Sequence, residues 1–191
     1  MISIIGNDDA KLVDAWQKLW NLLVKSTDTK KSFVNGEGVA LFLKCLDKFP
    51  ENTALIHTML GCMACVTGDS NLVFKMMTHD FAQRIIDLAD TPDFTDLSFC
   101  AISVLCTMLK EGKTSWRKTK LSFTATLVKF NSIYDRWDIS NVKTSLGTSN
   151  FEDEFSYLAS DVPQVHLHGL WTIACYTRQS NSTCIRINLT H

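Results

Sequence analysis

The chain has 191 residues, 46% hydrophobic and 20% charged, a composition that suits one folded domain with its own core and excludes a disordered or low-complexity protein. Nineteen Lys and Arg stand against 20 Asp and Glu, a net charge of -1, whereas nucleic-acid binders draw their affinity from a basic excess facing phosphates. The one basic cluster, around Arg117, Lys118 and Lys120, reads as a solvated helix start, so neither nucleic acid nor membrane is an expected partner.

The opening MISIIGNDDA lacks the basic start and apolar stretch of a secretory signal, and no apolar run reaches transmembrane length. Seven cysteines, an odd number, sit mostly inside apolar helical runs as small hydrophobes. Together these predict a reducing intracellular setting, cytoplasmic or nuclear, in which the sequons at Asn181 and Asn188 stay unused.

Three- and four-residue apolar steps predict helices in chain order over 10–25, 37–48, 53–67, 71–77, 81–88 and 95–110. Gly112 follows the last of these as a C′ residue. Further helices are expected at 119–135, about 151–159 and 164–177. Pro50, Pro92 and Pro163 fall between these stretches, where helices stop or start. Ser140–Asn150 reads as a polar loop, and residues 185–191 read as a ragged end without a normal cap. The whole of 1–191 is expected to be a single domain.

Residues 36–50 and 54–66, GEGVALFLKCLDKFP and ALIHTMLGCMACV, are followed by a second pair of the same kind, HDFAQRIIDLADTP at 79–92 and DLSFCAISVLCTML at 96–109. Matched positions lie about 42 to 45 residues apart, the armadillo/HEAT period. The expected fold is therefore all-α, an armadillo/HEAT-like α-solenoid of three to four repeats, with the long third helices lining a concave groove. In that register AWQKLWNLLV (15–24) is the third helix of an earlier unit, equivalent to 54–66. Trp16 then packs between repeats.

Sites of chemistry are sparse. Cys62-x-x-Cys65 has no second ligand pair at zinc spacing and no strand ahead of it for a redox motif, so both thiols read as core. His166 and His168 stand about 200° apart on a helix, the wrong geometry for a metal pair. No Gly-x-Ser-x-Gly, phosphate loop or nucleophile–base pair emerges, which argues against an enzyme, a metal or a cofactor.

Several segments in order carry a resemblance. They are LWNL (19–22), GVALFLKCLDKFP (38–50), MLGCMACV (59–66), LSFCAISVLCTMLKEGKTSW (97–116), YDRW (134–137) and VHLHGLWTIACYT (165–177), then Cys184. Read together they resemble the C-terminal armadillo-like domain of the Zyg-eleven/ZER family, substrate receptors of cullin-two RING ubiquitin ligases. The resemblance implies a domain that reads an N-terminal glycine, its ammonium held by carboxylates and amides and its missing side chain enforced by an aromatic wall. The family supplies Trp-Asn-x-x-Asp from one third helix and Asn-x-x-Glu from the next. Carried over, the first motif falls on Trp20, Asn21 and Val24, and the second on Cys65 and Gly68. His168 stands where the family typically has another Trp, and by that match is expected to line the groove with them.

The aromatic and one amide therefore persist, while both carboxylates and the second amide are replaced. An ammonium buried without acceptors is strongly disfavoured. The expectation is a protein-interaction module with a degenerate degron pocket, binding a protein or peptide N-terminus in the groove. The second reading is a generic armadillo scaffold that partners through other surfaces. The resemblance also implies an elongin-binding box and leucine-rich repeats ahead of this domain. Residues 1–10 are too few to encode them, so a cullin complex would need a longer chain or a relative to supply the box.

Overall fold

In the computed structural model the described residues are 9–92, 95–137 and 157–179. They form α1 (Asp9–Lys25), α2 (Thr27–Asn35), α3 (Gly38–Lys48), α4 (Thr53–Thr67), α5 (Ser70–Met76), α6 (His79–Ala89), α7 (Asp96–Lys110), α8 (Gly112–Trp116), a 3-10 turn (Arg117–Thr119), α9 (Phe123–Arg136) and α10 (Pro163–Gln179). No strand occurs among the described residues.

The helix starts follow from small oxygen-bearing side chains placed just ahead of apolar runs. Ser26, Asn52, Asp69, Thr78 and Ser122 each accept a backbone N–H two or three residues on. Thr95 and Ser98 do so reciprocally, closing a capping box at 3.0 Å each way. The α7 helix ends where the sequence supplies a glycine: Gly112 has φ +81°, a left-handed conformation that a side chain disfavours.

Three units of three helices follow a lone third helix. They are α2–α3–α4, α5–α6–α7, and α8 with its turn, α9 and α10. The third helices stack in series, α1 on α4, α4 on α7 and α7 on α10. The repeat period reappears as the sequence separation of the side-chain contacts. Asn52 donates to Asp9 across 43 residues, Lys75 to Asn35 across 40, and Cys62 to the carbonyl of Trp16 across 46. Phe42 of α3 meets Phe81 of α6 edge-on at 5.7 Å between ring centroids. Each unit thus buries its apolar face on its neighbour, as solenoid repeats must. One continuous core runs from Leu12 to Trp171.

Two sequence expectations differ from the structure. The α2 helix was not legible in the apolar pattern because it buries no residue fully; only Phe33 and Val34 pack against the core. The expected 119–135 helix begins at Phe123, since the chain first turns through Arg117–Thr119 and a left-handed Lys120 at φ 59°. Of the expected 151–159 helix, only 157–159 lie among the described residues, with 157 and 158 helical. The loop at 140–150 and the end at 185–191 lie outside them.

A clamp between units sits at the C-terminal end of α6. Asp90 receives Lys129 and Arg136 of α9, the latter at 2.6 Å. The hydrogen bond from Lys129, then that from Arg136, holds the Asp90 carboxyl below its ordinary range. The pair is partly open to water, so screening keeps its contribution near about 1 kcal/mol. An Asp90→Asn variant is expected to lose about that much in urea denaturation, and less at high salt. An unchanged midpoint would show the clamp to be idle.

Candidate functional site

Helical spacing puts Trp20 and Asn21 one turn before Val24 on α1. On α4 the residues that stay partly open are His57, Gly61, Ala64 and Cys65, a stripe at helical steps that Gly68 extends. The two stripes meet where the Trp20 ring lies on Gly61. A Cβ at position 61 would stand 2.7 Å from two atoms of that ring, so any larger residue there must shift the indole. Trp20 is half-buried, Asn21 is exposed, and Val24 is 62% exposed. Cys65 is half-buried, and Gly68, in ordinary right-handed backbone, caps α4. Five of the six predicted positions therefore lie on adjoining stripes of two packed helices.

Trp16, four residues earlier, has a different environment. It is 3% exposed, edge-on to Phe33 at 6.3 Å, with its carbonyl accepting the Cys62 thiol. The open stripe continues onto α7 through Cys100, Ser103 and Thr107. It is uncharged along its length: α4 has no ionisable acid or base other than His57 and its cysteines, and α7 carries Asp96 and Lys110 only at its ends. Asp69, one residue past Gly68, turns its carboxylate to the backbone N–H of Asn71 at 2.9 Å as the cap of α5. Glu111, which ends α7 as Gly68 ends α4, is a carboxylate one repeat further on.

His168 is not part of this face. It is 1% exposed, inside a box of Phe99, Tyr134 and Tyr157 rings. Its Nε2 lies 3.1 Å from Ser103 Oγ, and its Nδ1 bonds the Tyr134 hydroxyl. The proton order follows from the chain of partners. Ser103 Oγ–H donates to the Phe99 carbonyl at 3.1 Å, so Oγ accepts from His168 Nε2–H, and Nδ1 accepts the Tyr134 proton. A serine nucleophile needs the opposite polarity, with the imidazole accepting from the hydroxyl. Burial pushes the His168 pKa down to about 3. The cluster is a neutral latch by which α10 grips α7 and α9, and it corrects the expectation of a groove-lining histidine: its polar atoms are fully used inside.

The thiols are equally inert as acids. Burial raises Cys62 to about 12, and burial, then the charge of Asp96, raises Cys100 to about 11. Cys100 lies 3.7 Å from His57 Nε2. Among the described residues no three His, Cys, Asp or Glu side chains converge as metal ligands. Nor is any described helix long and apolar enough to cross a membrane.

Sequence reading missed Gly61 as the seat of Trp20, and Ser103 and Tyr134 as the partners of His168. The first had a signal: residues 20 and 61 are about one repeat apart. The second had none, since it joins residues 34 and 65 apart through three helices.

A helical-repeat domain with an open, uncharged stripe across its third helices is an α-solenoid of the protein-interaction type. The family profile described as "Protein zer-1 homolog-like, C-terminal domain" matches residues 6–188, and the chain belongs to that Zyg-eleven/ZER family. "Protein zer-1 homolog" of Homo sapiens is 27% identical over 155 residues, covering 81% of this chain and 20% of that protein. "Protein zer-1 homolog" of Drosophila melanogaster is 24% identical over 194 aligned residues, covering 86% of this chain and 24% of that protein. "Zyg eleven-related protein 1" of Caenorhabditis elegans is 24% identical over 104 residues, covering 54% of this chain and 12% of that protein. The chain spans about a fifth of the length of the human relative.

Proposed function

We propose that this domain binds a protein or peptide segment against Trp20, as the substrate-reading part of a ubiquitin-ligase receptor, through a pocket that has lost its ammonium acceptors. The observation that carries the reading is the Trp20 indole laid on Gly61 and left half-open. A flat aromatic held by packing offers large contact area at little entropic cost to a ligand. In this reading Val24, Cys65 and Gly68 offer the ligand aliphatic, thiol and hydrogen surfaces, and Asp69 serves as a helix cap. A bound segment would be read by shape and apolar contact. Recruitment of a cullin-two RING ligase would fall to a longer chain or a relative carrying the elongin box, in an intracellular compartment.

The test is a pair of variants on peptides recovered from an immobilised peptide array. Trp20→Ala should weaken them about tenfold or more, while thermal unfolding stays cooperative. Gly61→Val should weaken them similarly, since its added side chain must lift the ring. Unfolding of Trp20→Ala would make Trp20 a core residue and remove the reading's main side chain. A silent array would favour the scaffold alternative.

A further inference from the structure

The three layers of the solenoid handle charge differently. In the second-helix layer of α3, α6 and α9, cations meet carboxylates of the neighbouring unit. Arg84 pairs with Asp47, and Lys129 and Arg136 pair with Asp90. In the first-helix layer of α2, α5, α8 and the 3-10 turn, the basic side chains are Lys30, Lys31, Lys75, Lys113, Arg117 and Lys118; the acid inside these elements is Asp28, and Asp69 and Glu111 stand at the N-terminal caps of α5 and α8. Asp28 pairs with Lys31 at 3.6 Å.

The ties between successive first helices are also made by lysines, but onto neutral acceptors. Lys75 Nζ donates to the Asn35 side-chain oxygen at 3.0 Å. Lys118 Nζ donates to the Phe74 carbonyl at 2.6 Å and lies 3.8 Å above the Phe74 ring. A carbonyl fixes an ammonium in place without cancelling its charge. Lys75 and Lys118 are thus held from helix to helix on acceptors that leave their charge standing. All the basic side chains of the layer but Lys30 are exposed, as is Lys120 beside them.

We propose that this first-helix ridge is a docking surface for an acidic, extended protein segment, separate from the Trp20 face. The α2 helix packs on α5, and helices so packed lie about 8–10 Å axis to axis. An extended chain advances about 3.3 Å per residue, so a carboxylate at every third residue keeps step with that spacing. The rest of the surface argues for protein over other polyanions. The net charge of -1 gives no global field to collect a nucleic acid. The exposed aromatic of this layer, Phe74, has one ring face taken by the Lys118 ammonium.

The probe is a fluorescein-labelled peptide of Glu-Ser-Gly repeats, titrated into the intact chain and followed by anisotropy. Binding is expected, tightening at low salt, with a Lys-Ser-Gly control silent. The double variant Arg117→Glu, Lys120→Glu should lose about tenfold in affinity, and Lys44→Glu on α3 should lose little. Where the glutamates disturb folding, as circular dichroism would report, Arg117→Gln with Lys120→Gln gives the same reading at smaller amplitude. Trp20→Ala should leave this binding intact, which separates it from the groove. Absence of binding, or equal loss in Lys44→Glu, would overturn the proposal. So would tighter binding to a single-stranded oligonucleotide or to phosphatidylserine vesicles than to the peptide.

Discussion

Acidification from about pH 6.5 to about pH 4.5 is expected to cost the wild-type chain about 2 kcal/mol more than it costs a His168→Gln variant. The folded protein holds His168 neutral, its pKa pushed to about 3 by burial among aromatic rings, while the unfolded chain protonates it near the ordinary value of about 6.5. Between those two values the unfolded state binds a proton that the native state refuses. Stability therefore falls as pH drops through the window, at up to about 1.4 kcal/mol per pH unit from this group. Above pH 7 both states are neutral and the contribution is flat. Urea midpoints at several pH values measure it, and taking the difference between wild type and variant removes the carboxylates common to both. Parallel pH profiles would mean that the imidazole is charged or solvated in the folded state. A second readout lies in Tyr134→Phe, which removes the hydroxyl proton that Nδ1 accepts and should destabilise by about 1–2 kcal/mol.

Phe81→Ala should cost more, about 3–5 kcal/mol, and should lower the stability of the whole array. Phe81 is fully buried on α6, and its ring meets Phe42 of the preceding unit. Truncation leaves a cavity at a joint between units, where a solenoid keeps its coupling energy. Differential scanning calorimetry should show a lowered and broadened transition. A loss below about 1 kcal/mol would place the aromatic pair outside the stabilising core.

The fold was legible because the repeat supplies the same signal more than once. Two matched apolar pairs in 36–109 fixed the period, and that period is the distance at which Asn52 meets Asp9 and Cys100 meets His57. The α2 helix escaped because its sequence, TDTKKSFVN, stabilises itself by a Ser26 cap and light packing rather than by a buried stripe. The Trp20, Asn21, Val24, Cys65 and Gly68 positions were legible through resemblance and repeat register. Their closeness follows from stacking of α1 on α4. His168 was misplaced because the exposure of a helix face depends on what packs over it. Here the covering side chains come from α7, α9 and the residues just before α10, far apart in sequence. The basic cluster at 117–120 read as a solvated helix start because its partners in register, Lys75 and Lys31, come from two other repeats.

The proposal that the Trp20 face reads a segment without holding a charged N-terminus is tested by affinity for matched peptides, glycine-first, each with its amine free and acetylated. Acetylation should leave affinity unchanged or raise it, and Trp20→Ala should weaken both forms alike. Glycine-first binding that vanishes on acetylation would contradict it, and would assign the missing acceptor to a carboxylate such as Glu111.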